Sequence, residues 1–114
     1  MLPRVARVSR SNDWQRLQRY GKTSVSPGLI IKYSPNNLPI SRFGFSVGKK
    51  ISKKSVVRNK IKRQLRAIIQ RLKPDLQGGY DVVLLSRLPI AGMDYRQKFL
   101  AVETLLRKVR ILVK

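Results

Sequence analysis

The sequence contains no cysteine and no histidine. The first absence excludes disulfide frameworks, thiol nucleophiles and thiolate zinc sites; the second removes imidazole as a metal ligand or as a general base near neutral pH. Acids are scarce as well. Asp13, Asp75, Asp81, Asp94 and Glu103 stand against 26 Lys and Arg, for a formal net charge of +21. Metal-dependent phosphodiester cleavage needs clustered carboxylates around Mg2+, whereas these five are scattered, and Asp13 and Asp94 each sit where a helix cap is expected. A self-sufficient nuclease is therefore not expected. No apolar run approaches the roughly 18 residues of a membrane span. The segment Met1-Leu2-Pro3-Arg4-Val5-Ala6-Arg7 lacks the apolar stretch of a secretory signal, so the expected compartment is the cytosol.

With 114 residues and 42% hydrophobic residues, the chain is expected to form one domain over 1–114 with a real core, residues 1–10 being a flexible basic segment. A pI near 11.7 calls for a polyanionic partner, because phosphates relieve the self-repulsion of so basic a domain. The charge is also unevenly placed. No acid occurs from Trp14 through Pro74, and eleven Lys or Arg fall within 49–73. A membrane-surface helix would need exposed bulky apolar residues opposite its charges, but the apolar stripe of this segment is committed to a core. Nucleic acid is the better match.

Ser11-Asn12-Asp13 offers caps for a first helix carrying Trp14 and Leu17 and closed by Gly21. Leu29–Tyr33 reads as a strand between Ser26-Pro27-Gly28 and the turn residues Ser34–Asn37. Arg42–Gly48 alternates, placing Phe43, Phe45 and Val47 on one face and Gly44, Ser46 and Gly48 on the other. Ser52 or Ser55 is positioned to cap a long helix stopped by Pro74, with Val57, Ile61, Leu65, Ile68, Ile69 and Leu72 as its buried stripe. Gly78-Gly79 turns into the apolar strand Asp81–Leu85, and Asp94 caps a last helix with the stripe Tyr95, Phe99, Val102, Leu106, Val109 and Val113. The order is helix, two or three strands, helix, strand, helix, an α+β two-layer sandwich with helices packed on a sheet.

Arg58, Lys62 and Arg66 step by four along the central helix beside its buried stripe, and Asn59, Lys60 and Arg63 continue the polar surface. Neighbours at that spacing can follow one phosphate backbone, with Arg supplying a bidentate fork and Asn a neutral donor and acceptor. Solvated helix faces usually mix signs, and this one has no acid to pair with. The bare face of Gly44, Ser46 and Gly48 fits either a helix packed closely on the strand or a groove for extended nucleic acid, with Lys49 and Lys50 at its mouth. Trp14, Tyr20 and Tyr33 are candidate stacking surfaces, and Trp14 is equally suited to a core.

The run Arg42-Phe43-Gly44-Phe45-Ser46-Val47-Gly48-Lys49-Lys50, followed by Val57-Arg58-Asn59-Lys60-Ile61-Lys62-Arg63-Gln64-Leu65-Arg66, resembles the signature of the bacterial ribonuclease P protein subunit. The resemblance covers most of the chain. It implies a cytoplasmic ribonucleoprotein that removes the 5′ leader of precursor tRNA, with hydrolysis carried out by the RNA subunit and its Mg2+ and the protein serving as accessory subunit. No cofactor is then held by protein side chains alone. The resemblance assigns Arg58, Asn59, Lys60 and Arg63 to the catalytic RNA. It assigns Trp14, Tyr33 and Ser46, with Lys62 and Arg66 at the edge, to a cleft for the leader. Lys49, Lys50, Lys53 and Lys54 are supporting basic residues. The family's left-handed β-α-β crossover, against the usual hand, is implied as well.

Two departures stand out. Lys60 replaces the second Arg of the family's Arg-Asn-Arg motif, keeping charge but losing the fork, and Gln18 replaces an aromatic common in the cleft. Lys32 is the alternative to Tyr33, on the opposite strand face. The rival from another class is a structural ribosomal protein, which composition alone does not separate from the ribonuclease P reading.

Overall fold

The computed structural model describes Leu17, Arg19 and residues 21–113. Leu17 and Arg19 are helical; the expected caps Ser11–Asp13, Trp14, Gln18 and Tyr20 lie outside the described residues. Four strands follow the chain as β1 (Lys22–Val25), β2 (Leu29–Pro35), β3 (Arg42–Ser46) and β4 (Tyr80–Ser86), with helix α1 (Ser55–Leu72) between β3 and β4 and helix α2 (Tyr95–Lys108) after β4. They form one sheet in the order β1-β2-β4-β3. β1–β2 and β2–β4 are antiparallel, whereas β3 and β4 are parallel neighbours joined through α1. β3 is thus an edge strand, and the basic helix returns beside it.

One face of the sheet carries the main core. Ile31, Leu84 and Phe45 lie in one cross-strand row, and Tyr33, Val82 and Phe43 in the next. Ile61, Leu65, Ile68, Ile69 and Leu72 of α1 and Val102, Leu105 and Leu106 of α2 close over them. The expected α1 stripe is therefore the buried one, except that Val57 is only half-buried. Leu65, Ile68 and Ile69 are fully buried, so truncating any of them removes transfer free energy and leaves a cavity.

Several boundaries differ from expectation. β1 was not anticipated: four residues with one buried side chain, Ser24, give too short and polar a pattern. β3 stops at Ser46, although Val47 remains buried. Neither Ser52 nor Ser55 caps α1; the N-cap is Lys54, without a side-chain cap bond, while Ser52 Oγ accepts from Lys54 N at 3.2 Å. A short 3-10 turn, Lys73–Asp75, takes over where Pro74 ends α1. Asp94 caps α2 reciprocally: its Oδ1 accepts from Gln97 N at 2.8 Å, and its own N donates to Gln97 Oε1 at 2.9 Å. α2 ends at Lys108 because Arg110 adopts a left-handed φ of 65°. Val113 consequently leaves the expected stripe and is exposed, and Ile111 and Leu112 are buried instead.

One carboxylate organises the end of the sheet. Asp81, fully buried, pairs with Arg42 directly across the β3–β4 ladder. Arg42 Nε donates to Oδ1 at 2.8 Å and an Nη to Oδ2 at 2.6 Å, and Asn36 Nδ2 adds a bond to Oδ1 at 3.0 Å. Asn36 also holds its own turn, its Oδ1 accepting from Leu38 N and its Nδ2 donating to Ile40 O. The loop then folds over Gly78, where a Cβ would meet Pro39 O at 2.1 Å, so only glycine fits there. Removing one member of a buried charged pair strands the other. Arg42→Ala should lower stability by about 3 kcal/mol, read from urea unfolding; a loss below about 1 kcal/mol would mean that water replaces the guanidinium without cost.

Candidate nucleic-acid interface

Strand parity sorts the candidate residues onto two faces. Opposite the core, Lys32, Val83 and Gly44 form one row, and Ile30, Leu85 and Ser46 the next. Leu17 packs on Val83 and Leu85 there, so the first helical segment lies over this face. Gly21 lets the chain turn from that segment into β1: its N donates to Leu17 O at 2.9 Å, and a Cβ would stand 2.4 Å from the same oxygen. Ser46 is therefore on the face covered by the first helical segment. Tyr33 is not; it is half-buried against the main core, on the other side of the sheet. The structure separates Tyr33 from Ser46, and Lys32 shares that face with Ser46, in the row of Gly44 with Val83 between them.

Around the open edge of β3 stands the basic ridge. Arg58, Lys62 and Arg66 are half-buried, and Asn59, Lys60 and Arg63 are exposed. The Arg66 guanidinium lies 5.6 Å from the Phe45 ring centroid, a cation–π contact that fixes its direction along the edge strand. Arg58 is fastened to the preceding loop, Nη1 donating to Ser52 O and Lys53 O at 2.9 Å each. That loop presents Lys49, Lys50, Lys53 and Lys54 to solvent, anchored by buried Val47 and Ile51 on either side of its turn. α1 has no acid in its first turn, so its dipole adds to the positive potential at this end. Arg58 thus shapes the basic loop as well as contributing charge to it, which spacing alone does not reveal.

A cation that sequence reasoning missed lies behind the ridge. Lys98 of α2 is 6% exposed, and its Nζ donates to Gln64 Oε1 of α1 at 2.7 Å. Burial holds its pKa below the usual lysine value, Lys60 adds to the depression, and Asp94 opposes it. The signal was present in the spacing, since Lys98 falls three after Tyr95 and four before Val102, on the buried stripe.

Three of the described carboxylates have other partners. Asp81 is held by Arg42 and Asn36, Asp94 caps α2, and Glu103 faces Arg107 at 3.7 Å. Among the described residues no group of three or more His, Cys, Asp or Glu is placed to hold a metal ion, and no helix is long and apolar enough to cross a membrane. What the geometry offers is a positively charged sheet edge with a helix-covered face on one side and an exposed basic helix on the other.

Comparison with known proteins decides the family. The Ribonuclease P family profile matches residues 2–110. The chain belongs to the ribonuclease P protein family. The "Ribonuclease P protein component" of Caldanaerobacter subterraneus subsp. tengcongensis is 37% identical over 108 residues, covering 95% of this chain and 92% of that protein. The component of the same name from Synechocystis sp. is 32% identical over 112 residues, covering 97% and 90%. Among solved structures, the Staphylococcus aureus RNase P protein superposes with a TM-score of 0.87 at 26% identity, over 94% of this chain and 97% of that one. The Thermotoga maritima protein gives 0.76 at 26% identity, over 95% and 97%. Ribonuclease P is an endoribonuclease of tRNA processing, and this chain is its accessory protein component. The ribosomal-protein alternative gives way to that assignment, and RNA is the partner that ribonuclease P membership implies.

The Arg58 anchor generates a stability test. Arg58→Ala should cost about 1 kcal/mol through the two lost loop bonds, and Arg58→Lys should recover little of it because the lysine ammonium ends one bond short of the Nη1 that makes both. Denaturant midpoints of the free protein read this directly; full recovery by Lys would show that charge alone matters.

Proposed function

We propose that the exposed face of α1, with Arg58, Asn59, Lys60 and Arg63, binds the catalytic RNA of ribonuclease P, and that the face of the sheet bearing Ser46 receives the single-stranded 5′ leader of precursor tRNA. Lys62 and Arg66 border that groove at the open edge of β3. Lys32 takes the strand position expected for Tyr33, and Trp14 is assigned to the leader as a stacking side chain. Lys49, Lys50, Lys53 and Lys54 extend the positive field toward both RNAs. The chain acts as one RNA-binding domain in the cytoplasm, with no membrane and no small-molecule substrate.

The observation that carries this reading is the division of cations by the sheet edge. A ridge stepping by four lies on α1, while Lys32 lies on the sheet's other face, in register with Gly44 through Val83. One surface is exposed, as suits a folded RNA. The other lies beneath the helical segment of Leu17, as suits an extended strand approaching small residues. Because the described carboxylates are already engaged or isolated, the described side chains do not fit a Mg2+ site; the RNA's own phosphates are its expected ligands. The protein's part is binding energy: screening RNA–RNA repulsion lets the complex form with fewer metal ions.

At low Mg2+, addition of this protein to a bacterial ribonuclease P RNA should release the 5′ leader of a precursor tRNA, and the protein alone should cut nothing. Tight RNA binding without stimulated cleavage would contradict the proposal.

A further inference from the structure

Lys98 sits in an unusual position for a cation. In a chain of net charge +21 it is 6% exposed, and among the described residues its ammonium makes one hydrogen bond, to the neutral carboxamide of Gln64. An ammonium has three donors, and a buried charge without a counter-charge is costly. The nearby acid, Asp94, is committed through Oδ1 to the cap of α2. Gln64 follows Lys60 by one turn of α1, so Lys60, Gln64 and Lys98 line up across the α1–α2 junction, from exposed to half-exposed to buried. Two ammonium groups so placed repel one another, and Lys60 adds to the burial that lowers the pKa of Lys98.

Resting on the α1 reading above, we infer that Lys60 and Lys98, with the Gln64 carboxamide between them, form a site for one RNA backbone phosphate straddling α1 and α2. A phosphate there accepts from both ammonium groups and from the Gln64 amide. It converts a repulsive pair into a bridged one and carries the catalytic-RNA footprint from α1 onto α2. Lys60, the lysine in the Arg-Asn-Arg position, fits this role: a point charge can share a phosphate with a second ammonium without the fixed plane of a guanidinium.

The test is binding of bacterial ribonuclease P RNA over a salt series. Lys98→Met keeps the buried stem and removes the charge; Lys98→Gln keeps a polar partner for Gln64. Both should weaken binding and reduce the salt slope by about 0.9, leave leader affinity unchanged, and leave the denaturation midpoint of the free protein unchanged or raised. With Lys60→Gln already in place, either substitution should cost little more, because the phosphate is shared. An unchanged slope in both Lys98 variants, while Arg63→Ala lowers it, would overturn the site and leave the α1 reading intact. Unchanged slopes in Arg63→Ala as well would overturn both. Strict additivity of the Lys60 and Lys98 losses would also rule out a shared phosphate.

Discussion

The interface depends on the pairing of β3 with β4, and that pairing is fixed by the fully buried Asp81 facing Arg42. A parallel neighbour has no hairpin to set its register, and a slip by one residue would exchange the two faces of β3. With Arg42 locked to Asp81, Phe43 and Phe45 point to the core and Gly44 and Ser46 to the opposite face. α1 must then return beside the edge strand with its cations outward. A protein with so few acids places one of them at the position that decides which face is which.

From that register follows a division of labour. Apolar burial under α1 and α2 supplies stability, and the polar side of α1 adds packing contacts at Arg58, Gln64, Arg66 and Arg71. The other face of the sheet is kept low by Gly44 and Ser46 and covered in part by the segment of Leu17. The two surfaces meet at one edge, Lys32 on one side and the α1 ridge on the other. On the proposed reading, this edge lets one small domain hold a folded RNA and an extended strand together.

Much of this was legible in the sequence. The alternation through Phe43 and Phe45 and the stripe from Ile61 to Leu72 gave the strand, the helix and the cationic ridge, because burial imposes periods of 2 and 3.6. What was not legible was set by long-range contact. Tyr33 and Lys32 are adjacent, and only pairing with β4 decides which faces Ser46. β1 is short and polar, and exists because β2 offers it an edge. Arg58 bonds backward to its own loop, a choice that spacing does not encode. Val113 matched the α2 stripe but lies beyond the left-handed Arg110. Lys98 sat on a buried stripe, where a lysine reads as a break in the pattern rather than as part of the core.

The most direct test of two RNA surfaces separated by one strand edge is affinity of the reconstituted ribonucleoprotein for precursor tRNA with and without its leader, set beside affinity of the protein for the catalytic RNA. Lys32→Ala should weaken binding of the leader-bearing precursor and leave the catalytic RNA unaffected, while Arg63→Ala should do the reverse. Equal losses on both ligands in both variants would mean one undivided basic surface, and would contradict the account.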